Sequence, residues 1–379
     1  MNARILIAVT HLLGIGHLVR ARQLARALAG AGHEVTLASG GMPDGKDAAD
    51  YRFVQVPPVR TQGTDFRNLL DEDGVTAAPE RLAARREQLV ALAEELSPDI
   101  VITEHFPFGR RQLAGEFLAL IAATRAANSR ALVLASIRDV LVAPQRSERL
   151  AETAERVETL FDAVLVHGDP RVLPLEASWP VTPEIAGKLV YTGYLAELPS
   201  LPGGSEGSSK TILVSGGGSA AALPLFEMTL AAARLLPERT FHLLIGRGIA
   251  EAEFARLRQS APDNARVERA RPDFPALLAA CALSISQAGY NTALDLLQAG
   301  RPALLAPFDA GSETEQGLRA SALERAGLAQ VVKLDGQPQT LAAAIEAALA
   351  RGVPPAAKVD LNGAKGTVAA VAKLLANRA

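Results

Sequence analysis

Apolar residues in the first half of this chain fall into two alternating rhythms. Short unbroken apolar runs predict buried strands at 4–10, 34–38, 53–56, 100–103, 131–136 and 163–167. Between them, apolar positions recur every three or four residues and predict helices near 18–31, 80–96, 110–127 and 147–161. Such a succession implies a mostly parallel sheet covered by helices on both faces, because strands buried on both sides read as continuous apolar runs. Residues 199–209, PSLPGGSEGSS, have no apolar period and read as a linker. The pattern then restarts, with strands at 211–215, 240–245, 266–268, 283–286, 303–306 and 330–332. A last amphipathic helix near 362–377 has the right length to cross back onto the first domain. The expected architecture is α/β, with two doubly wound, Rossmann-like domains facing a central cleft. Their bounds are 1–198 and 210–355, with 356–379 forming the returning segment.

Length and composition agree with that division. At 379 residues the chain exceeds one common core. Apolar residues make up 49% and charged residues 21%, ordinary for a globular protein, while 4% aromatics and abundant Ala and Leu disfavour an all-β fold. A net charge of −2 argues against a nucleic-acid binder, which needs massed Lys and Arg. One cysteine, Cys281, allows neither an internal disulfide nor a cysteine metal cluster, which fits a cytoplasmic protein. The apolar run at 5–9 is too short for a secretory core, and no run reaches membrane-spanning length.

In doubly wound sheets ligands sit beyond the carboxyl ends of the strands, so the residues just after each strand carry the chemistry. After the opening strand come Gly14, Gly16 and His17. A nicotinamide fingerprint is excluded, because Val19 stands where a small residue is needed and Ser39-Gly40-Gly41 replaces the acid after the second strand. At a helix N-terminus the charged form of His17 is disfavoured, leaving a neutral imidazole able to accept a proton near pH 7. Glu104 and His105 follow an apolar strand, as do Arg138 and Asp139; either acid is a second candidate base, and an Arg138–Asp139 pair is the alternative.

Gly216, Gly217 and Gly218 open the second domain without the lysine or spacing of a P-loop, and expose amides as a nest for a diphosphate. Arg247 adds a positive charge near them. The stretch 286–308, SQAGYNTALDLLQAGRPALLAPF, predicts a glycine turn into a helix. Gly289 admits a ligand close to backbone, Asn291 or Thr292 caps the helix, and Asp295 lies one turn further on, placed for the hydroxyls of a ribose.

The segments GIGHLVR (14–20), SGGGS (215–219), SQAGYNTALDLLQAG (286–300) and PFDAGSETEQ (307–316) together resemble the GT-B glycosyltransferases, especially family 28. That family includes the N-acetylglucosaminyltransferase completing lipid II, and within it the chain is most similar to a group of bacterial predicted glycosyltransferases. The resemblance implies a nucleotide-sugar donor, most often a UDP-sugar, held as a co-substrate in the second domain, with no cofactor and no metal. Asp295 stands where the family carries a ribose-binding acid, usually Glu. Gly289 and Thr292 match the phosphate turn, Glu315 and Gln316 the pair holding sugar hydroxyls, and Phe274 the segment over the base. His17 falls at the reacting centre.

The implied reaction is an inverting displacement by an acceptor hydroxyl deprotonated by His17, or by Glu104 or Asp139 in its place. It belongs to cell-envelope or polysaccharide biosynthesis, with a glycan, lipid-linked or small-molecule acceptor. The implied location is cytoplasmic, with peripheral contact to the inner membrane. Arg110 and Arg111, followed by Leu113, Phe117, Leu118, Leu120 and Ile121, offer a lipid-headgroup surface or, as the plainer reading, a helix core. A nucleotide-sugar hydrolase and a non-catalytic binding subunit remain compatible with these motifs. Asp71-Glu72-Asp73 lies in a polar loop and reads as solvated charge rather than a metal motif.

Overall fold

The computed structural model describes residues 2–45, 50–62, 68–196, 210–217, 220–308, 314–354 and 359–378. The chain divides into two compact units. One contains Met1–Pro170, Pro174–Leu195 and Asn362–Ala379; the other contains Arg171–Leu173 and Ala196–Leu361.

In the first unit the order is β1 (Arg4–Val9), α1 (Gly16–Gly30), β2 (Glu34–Ser39), β3 (Arg52–Gln55), α2 (Pro79–Leu96), β4 (Ile100–Glu104), α3 (Ala114–Ala127), β5 (Leu132–Arg138), α4 (Ser147–Leu160), β6 (Ala163–His167), α5 (Pro183–Ala186) and β7 (Leu189–Tyr191). The seven strands form one parallel sheet in the order β3-β2-β1-β4-β5-β6-β7. Because strand side chains alternate, β1 serves two cores at once. Leu6 and Ala8 pack with Leu89 and Leu92 of α2, Phe117 and Leu120 of α3 and Val157 of α4. Ile5, Ile7 and Val9 pack with Leu18, Ala21, Leu24, Ala25 and Leu28, the apolar stripe of α1.

The second unit runs β8 (Thr211–Ser215), α6 (Leu223–Leu235), β9 (Thr240–Ile245), α7 (Glu251–Gln259), β10 (Ala265–Arg269), α8 (Phe274–Ala280), β11 (Leu283–Ser286), α9 (Tyr290–Ala299), β12 (Ala303–Leu305), α10 (Glu315–Arg325), β13 (Gln330–Val331) and α11 (Pro338–Arg351). Its six parallel strands follow the order β10-β9-β8-β11-β12-β13, the same winding as the first sheet. Ile212 and Val214 of β8 meet α6, α7 and α11, whereas Leu213 meets α8, α9 and α10.

The predicted strands all occur, within a residue or two at their ends. The predicted helix at 110–127 begins instead as a 3-10 turn, Arg111–Leu113, before α3 takes over. The short edge strand β7 was not foreseen, because three residues carry too little pattern to stand out. The predicted linker, 199–209, lies outside the described residues. Among the described residues no helix is long and apolar enough to cross a membrane.

The returning helix is α12 (Gly363–Ala376), and it belongs to the first unit, covering the face of the sheet that α1 covers. Two glycines let it dock. A Cβ on Gly366 would lie 2.0 Å from the Thr192 carbonyl oxygen, and one on Gly363 would lie 2.5 Å from the Tyr194 carbonyl carbon. Glycine in a helix is unfavourable by about 1 kcal/mol relative to alanine, so its presence here reflects close approach rather than propensity. Gly366→Ala is therefore expected to lower stability by about 1–3 kcal/mol despite the propensity gain. Thermal or urea unfolding of the variant reads the sign directly.

Candidate active site

The winding of each sheet reverses beside its first strand, between β1 and β4 and between β8 and β11. Loops on either side of such a point diverge and leave a crevice at the carboxyl edge. The loops that follow these four strands carry most of the predicted site residues.

In the first unit the reversal brings together side chains 87 residues apart. His17 lies in the first turn of α1, which has Ile15 as its N-cap and no side-chain cap. Its Nδ1 is 2.9 Å from Oε1 of Glu104, the last residue of β4. Arg20, one turn along α1, donates to the same oxygen through Nε at 3.1 Å and also through Nη2. Ser136 of β5 donates to the other oxygen of Glu104 and contacts Nε2 of His167, the end of β6, at 3.0 Å. Nδ1 of His167 lies 2.8 Å from the Thr192 hydroxyl. His17 keeps 15% of its side chain exposed, against 1% for Glu104 and 4% for Arg20.

Charge states follow from this packing. Burial alone would raise the Glu104 carboxyl, but the Arg20 charge and the hydrogen bonds from Arg20 and Ser136 outweigh it, so its pKa lies below the ordinary carboxylate value. Glu104 is thus an anion. Burial pushes His17 well below 6.5, and the charges of Arg110, Arg20 and Arg138, with the His11 ring, push the same way. The imidazole is neutral as expected, though burial and guanidinium charge are the main cause rather than the helix end. His105, in the left-handed region at φ 69°, holds its ring 5.1 Å from that of His17 at a tilt of 44° and is kept neutral chiefly by burial.

An acceptor-only carboxylate beside His17 makes Nδ1–H the donor between them, so the Arg20 Nη2 contact at 3.0 Å to Nδ1 is an approach without a hydrogen bond. The pair then presents a bare Nε2. Glu104 thus orients the His17 ring, and both of its own oxygens are engaged. Asp139 is fully buried, and it accepts from the Val140 amide at 2.9 Å and from the Tyr194 hydroxyl at 3.5 Å.

The lipid-surface reading of 110–121 fails as well. Leu113, Phe117, Leu120 and Ile121 are buried in the core, and Arg110, pushed down to about 10 by burial, donates to the Thr10 carbonyl at 2.6 Å. In the polar loop, Asp71 accepts from the amides of Asp73 and Val75 and Glu72 pairs with Arg81 at 2.6 Å, so two of the three acids are engaged.

Arg20, Ser136, His167 and Thr192 were not singled out from the sequence. The available signal was the polar residue that closes or nearly closes each apolar strand, Glu104, Ser136 and His167 in turn. Only the register of neighbouring strands aligns them, with Glu104 opposite Ser136.

In the second unit β11 leads through Gln287 and Ala288 to Gly289, the N-cap of α9, at φ −61° and ψ 155° and with no side-chain cap. Asn291 and Thr292 therefore stand inside the first turn and not at the cap. They share a face with Asp295, at spacings of four and three residues, and Asp295 is half-buried. The turn is braced from α10. Gln316 Oε1 accepts from the Ala288 and Phe308 amides, each at 3.1 Å. Buried Arg319 donates to the Ala288 carbonyl at 2.8 Å and pairs with Glu315 at 2.9 Å. Glu315 and Gln316 thus serve the scaffold with the oxygens that face it.

Gly216 is required by packing, since a Cβ there would lie 2.1 Å from that of Ala222. Gly217 adopts φ 67°, and Gly218 lies outside the described residues. Gly14 likewise takes a positive φ, 67°, in the loop leading to Gly16 and α1. Arg247 is exposed after β9, and Phe274 opens α8 packed against the α9 core.

Comparison with known proteins places this geometry. Residues 211–373 match the glycosyltransferase family 28 C-terminal domain, spanning the second unit and most of α12. Residues 211–373 thus form a glycosyltransferase family 28 C-terminal domain, and the chain has the GT-B fold. It is 29% identical over 367 residues to the UDP-N-acetylglucosamine–N-acetylmuramyl-(pentapeptide) pyrophosphoryl-undecaprenol N-acetylglucosamine transferase of Rhodospirillum centenum, a match covering 90% of this chain and 89% of that one. The transferase of the same name from Brucella suis is 31% identical over 177 residues, 43% of this chain and 46% of the relative. Among solved structures, MurG of Acinetobacter baumannii superposes with a TM-score of 0.63 at 18% identity, covering 98% of this chain and 99% of that one. The glycotransferase of kitacinnamycin gives 0.61 at 19%, covering 100% and 99%.

The buried histidines make this glycosyltransferase acid-sensitive. His11, His17, His105 and His167 all have folded values below 6.5, and His167 is pushed to about 3 by burial and the Arg20 charge. The unfolded chain therefore takes up protons first, so stability is complete above pH 6.5 and is lost as pH falls toward the folded values. Each such histidine contributes a slope of up to about 1.4 kcal/mol per pH unit. Urea midpoints are expected to drop between pH 6.5 and 5, above the carboxylate range, and His167→Gln is expected to flatten that drop.

Proposed function

We propose that the enzyme transfers a sugar from a nucleotide-diphosphate donor, a UDP-sugar, to an acceptor hydroxyl, with inversion and without a metal ion. The observation that carries the donor reading is Gly289. Its backbone is ordinary extended chain, and the nearest atom to a Cβ built on it is the Thr292 hydroxyl at 3.9 Å, so neither strain nor packing requires glycine there. What a side chain would obstruct is the space before the uncapped end of α9. The first-turn amides of that helix have no partners within it, and a diphosphate fits them by charge and geometry. Asp295 is then assigned to the ribose hydroxyls, and Arg247 and Gly217 to the phosphates. Phe274 is assigned to the base and Gln316, through its amide nitrogen, to the sugar.

His17 Nε2 takes the acceptor proton as the acceptor oxygen forms its bond to the anomeric carbon. The bond from that carbon to the phosphate oxygen breaks on the opposite face, and the departing diphosphate keeps the electron pair. A single displacement of this kind inverts the centre. The charge on the leaving group is carried by the α9 amides, which supply electrostatic stabilisation without reorganisation. The relatives' names specify a UDP-sugar donor and an undecaprenol-linked acceptor. An acceptor with an apolar tail suits the first unit, whose loops after β1 and β5 expose Leu13 at 52%, Ile15 at 45% and Val142 at 48%. Such an acceptor brings the enzyme to a membrane surface.

A thermal-shift series with UDP-sugars tests the donor site, since a ligand that binds only the folded state raises its apparent stability. Gly289→Ala is expected to abolish the shift while changing the stability of the free protein by no more than about 1 kcal/mol, since the loss of a glycine N-cap opposes the gain in chain entropy. A free protein destabilised by several kcal/mol would mean that the glycine serves the fold. His17→Ala is expected to cut turnover about 10²–10⁴-fold with donor affinity unchanged. Free sugar released at full rate from donor alone would turn the assignment to hydrolysis.

A further inference from the structure

We infer that Ser136, His167 and Thr192 are positioning residues that hold His17 with its proton on Nδ1 and a bare Nε2. The inference rests on the reading of His17 as the base. The five side chains form one line, His17–Glu104–Ser136–His167–Thr192, with contacts of 2.9 Å at the first link, 3.0 Å between Ser136 and His167 and 2.8 Å at the last. Apart from His17, every member is buried.

Each contact has only one workable proton direction once two charge states are given. Glu104, beside Arg20, is an anion and accepts on both oxygens. Ser136 has a single proton, and that proton goes to Glu104 Oε2. Its oxygen must therefore accept from His167, which carries its proton on Nε2. A neutral His167 then has a bare Nδ1, which takes the Thr192 proton. At the other end Glu104 Oε1 accepts from His17 Nδ1–H. The line runs in one sense toward Glu104 from both ends, and the two histidines occupy opposite tautomers.

The line also has an anchor. Gly366 of α12 lies against the Thr192 carbonyl, so the helix that returns from the end of the chain holds the last hydroxyl in place. The groups facing His17 are Glu104, Arg20, Arg110, Arg138, His11 and His105. Glu104 is the one anion among them, and its basicity governs how well the ring carries a second proton. Removing the Ser136 donor concentrates charge on Glu104 and makes imidazolium easier to form.

The test is 15N NMR of the full chain labelled at histidine, in which protonated and bare ring nitrogens resonate in separate regions. His17 and His167 are assigned by the signals lost in His17→Gln and His167→Gln. The expected result is Nδ1–H on His17 and Nε2–H on His167. Finding both rings in one tautomer, or Nε2–H on His17, would overturn the inference whatever the activity shows. Ser136→Ala is expected to raise the His17 titration and move the acid limb of kcat/KM upward. Donor KM is expected to stay unchanged. An unchanged titration and acid limb would mean that Ser136 only packs. Should Ser136→Ala not fold, the wild-type spectra still decide. Full turnover in His17→Gln would remove the base assignment alone, leaving the tautomers to stand or fall on the spectra.

Discussion

One buried charge organises the first unit. Glu104 ends a strand that is otherwise apolar, at the place where the sheet reverses its winding, and an isolated carboxylate there would be neutral or would destabilise the fold by several kcal/mol. Arg20 makes the anion tolerable by donating to it from the neighbouring helix, and Ser136 satisfies its second oxygen. The remaining capacity of Oε1 is turned to His17. The arrangement therefore has a structural and a chemical consequence together: the charge that α1 must neutralise is the same charge that orients the ring at its first turn. Removing either partner of such a buried pair costs far more than the pair contributes, so the site and the packing of α1 on the sheet are tied.

The second unit solves a different problem, that of leaving a helix end open. Helix N-termini are commonly closed by a side chain from the N-cap, whereas a glycine there, also a common choice, leaves the first amides uncovered. The turn before α9 is instead held from beneath, by Gln316 on the Ala288 and Phe308 amides and by Arg319 on the Ala288 carbonyl. Support for the turn thus comes from α10, through both the amide and the carbonyl of Ala288.

The helices and strands of both units were legible from the chain because buried parallel strands and amphipathic helices each carry an intrinsic period. Even the paired layers of β1, with Leu6 and Ala8 on one side and Ile5, Ile7 and Val9 on the other, follow from alternation alone. Where the period is short the reading ends, as at β7. Candidate residues adjacent in sequence to a glycine turn, such as His17 and Gly289, were equally visible. Those whose role depends on a neighbour far along the chain were not. Asp139 and Glu104 both follow or close strands and carry the same group, yet one is sealed beneath Tyr194 and the other meets His17.

Local pattern thus determined the order of elements along the chain and the loops where polar residues gather, since each depends on residues within a turn or a strand of one another. Tertiary structure alone decided which polar side chains meet. His17 and Glu104 are 87 residues apart, and the line from Glu104 to Thr192 exists because strand register sets Glu104 opposite Ser136 and places His167 two residues beyond Leu165, the partner of Ser136, on the next strand. It also decided what each charge does. A carboxylate or imidazole has its ordinary affinity for protons until burial and a guanidinium change it, and those neighbours arrive only with the fold.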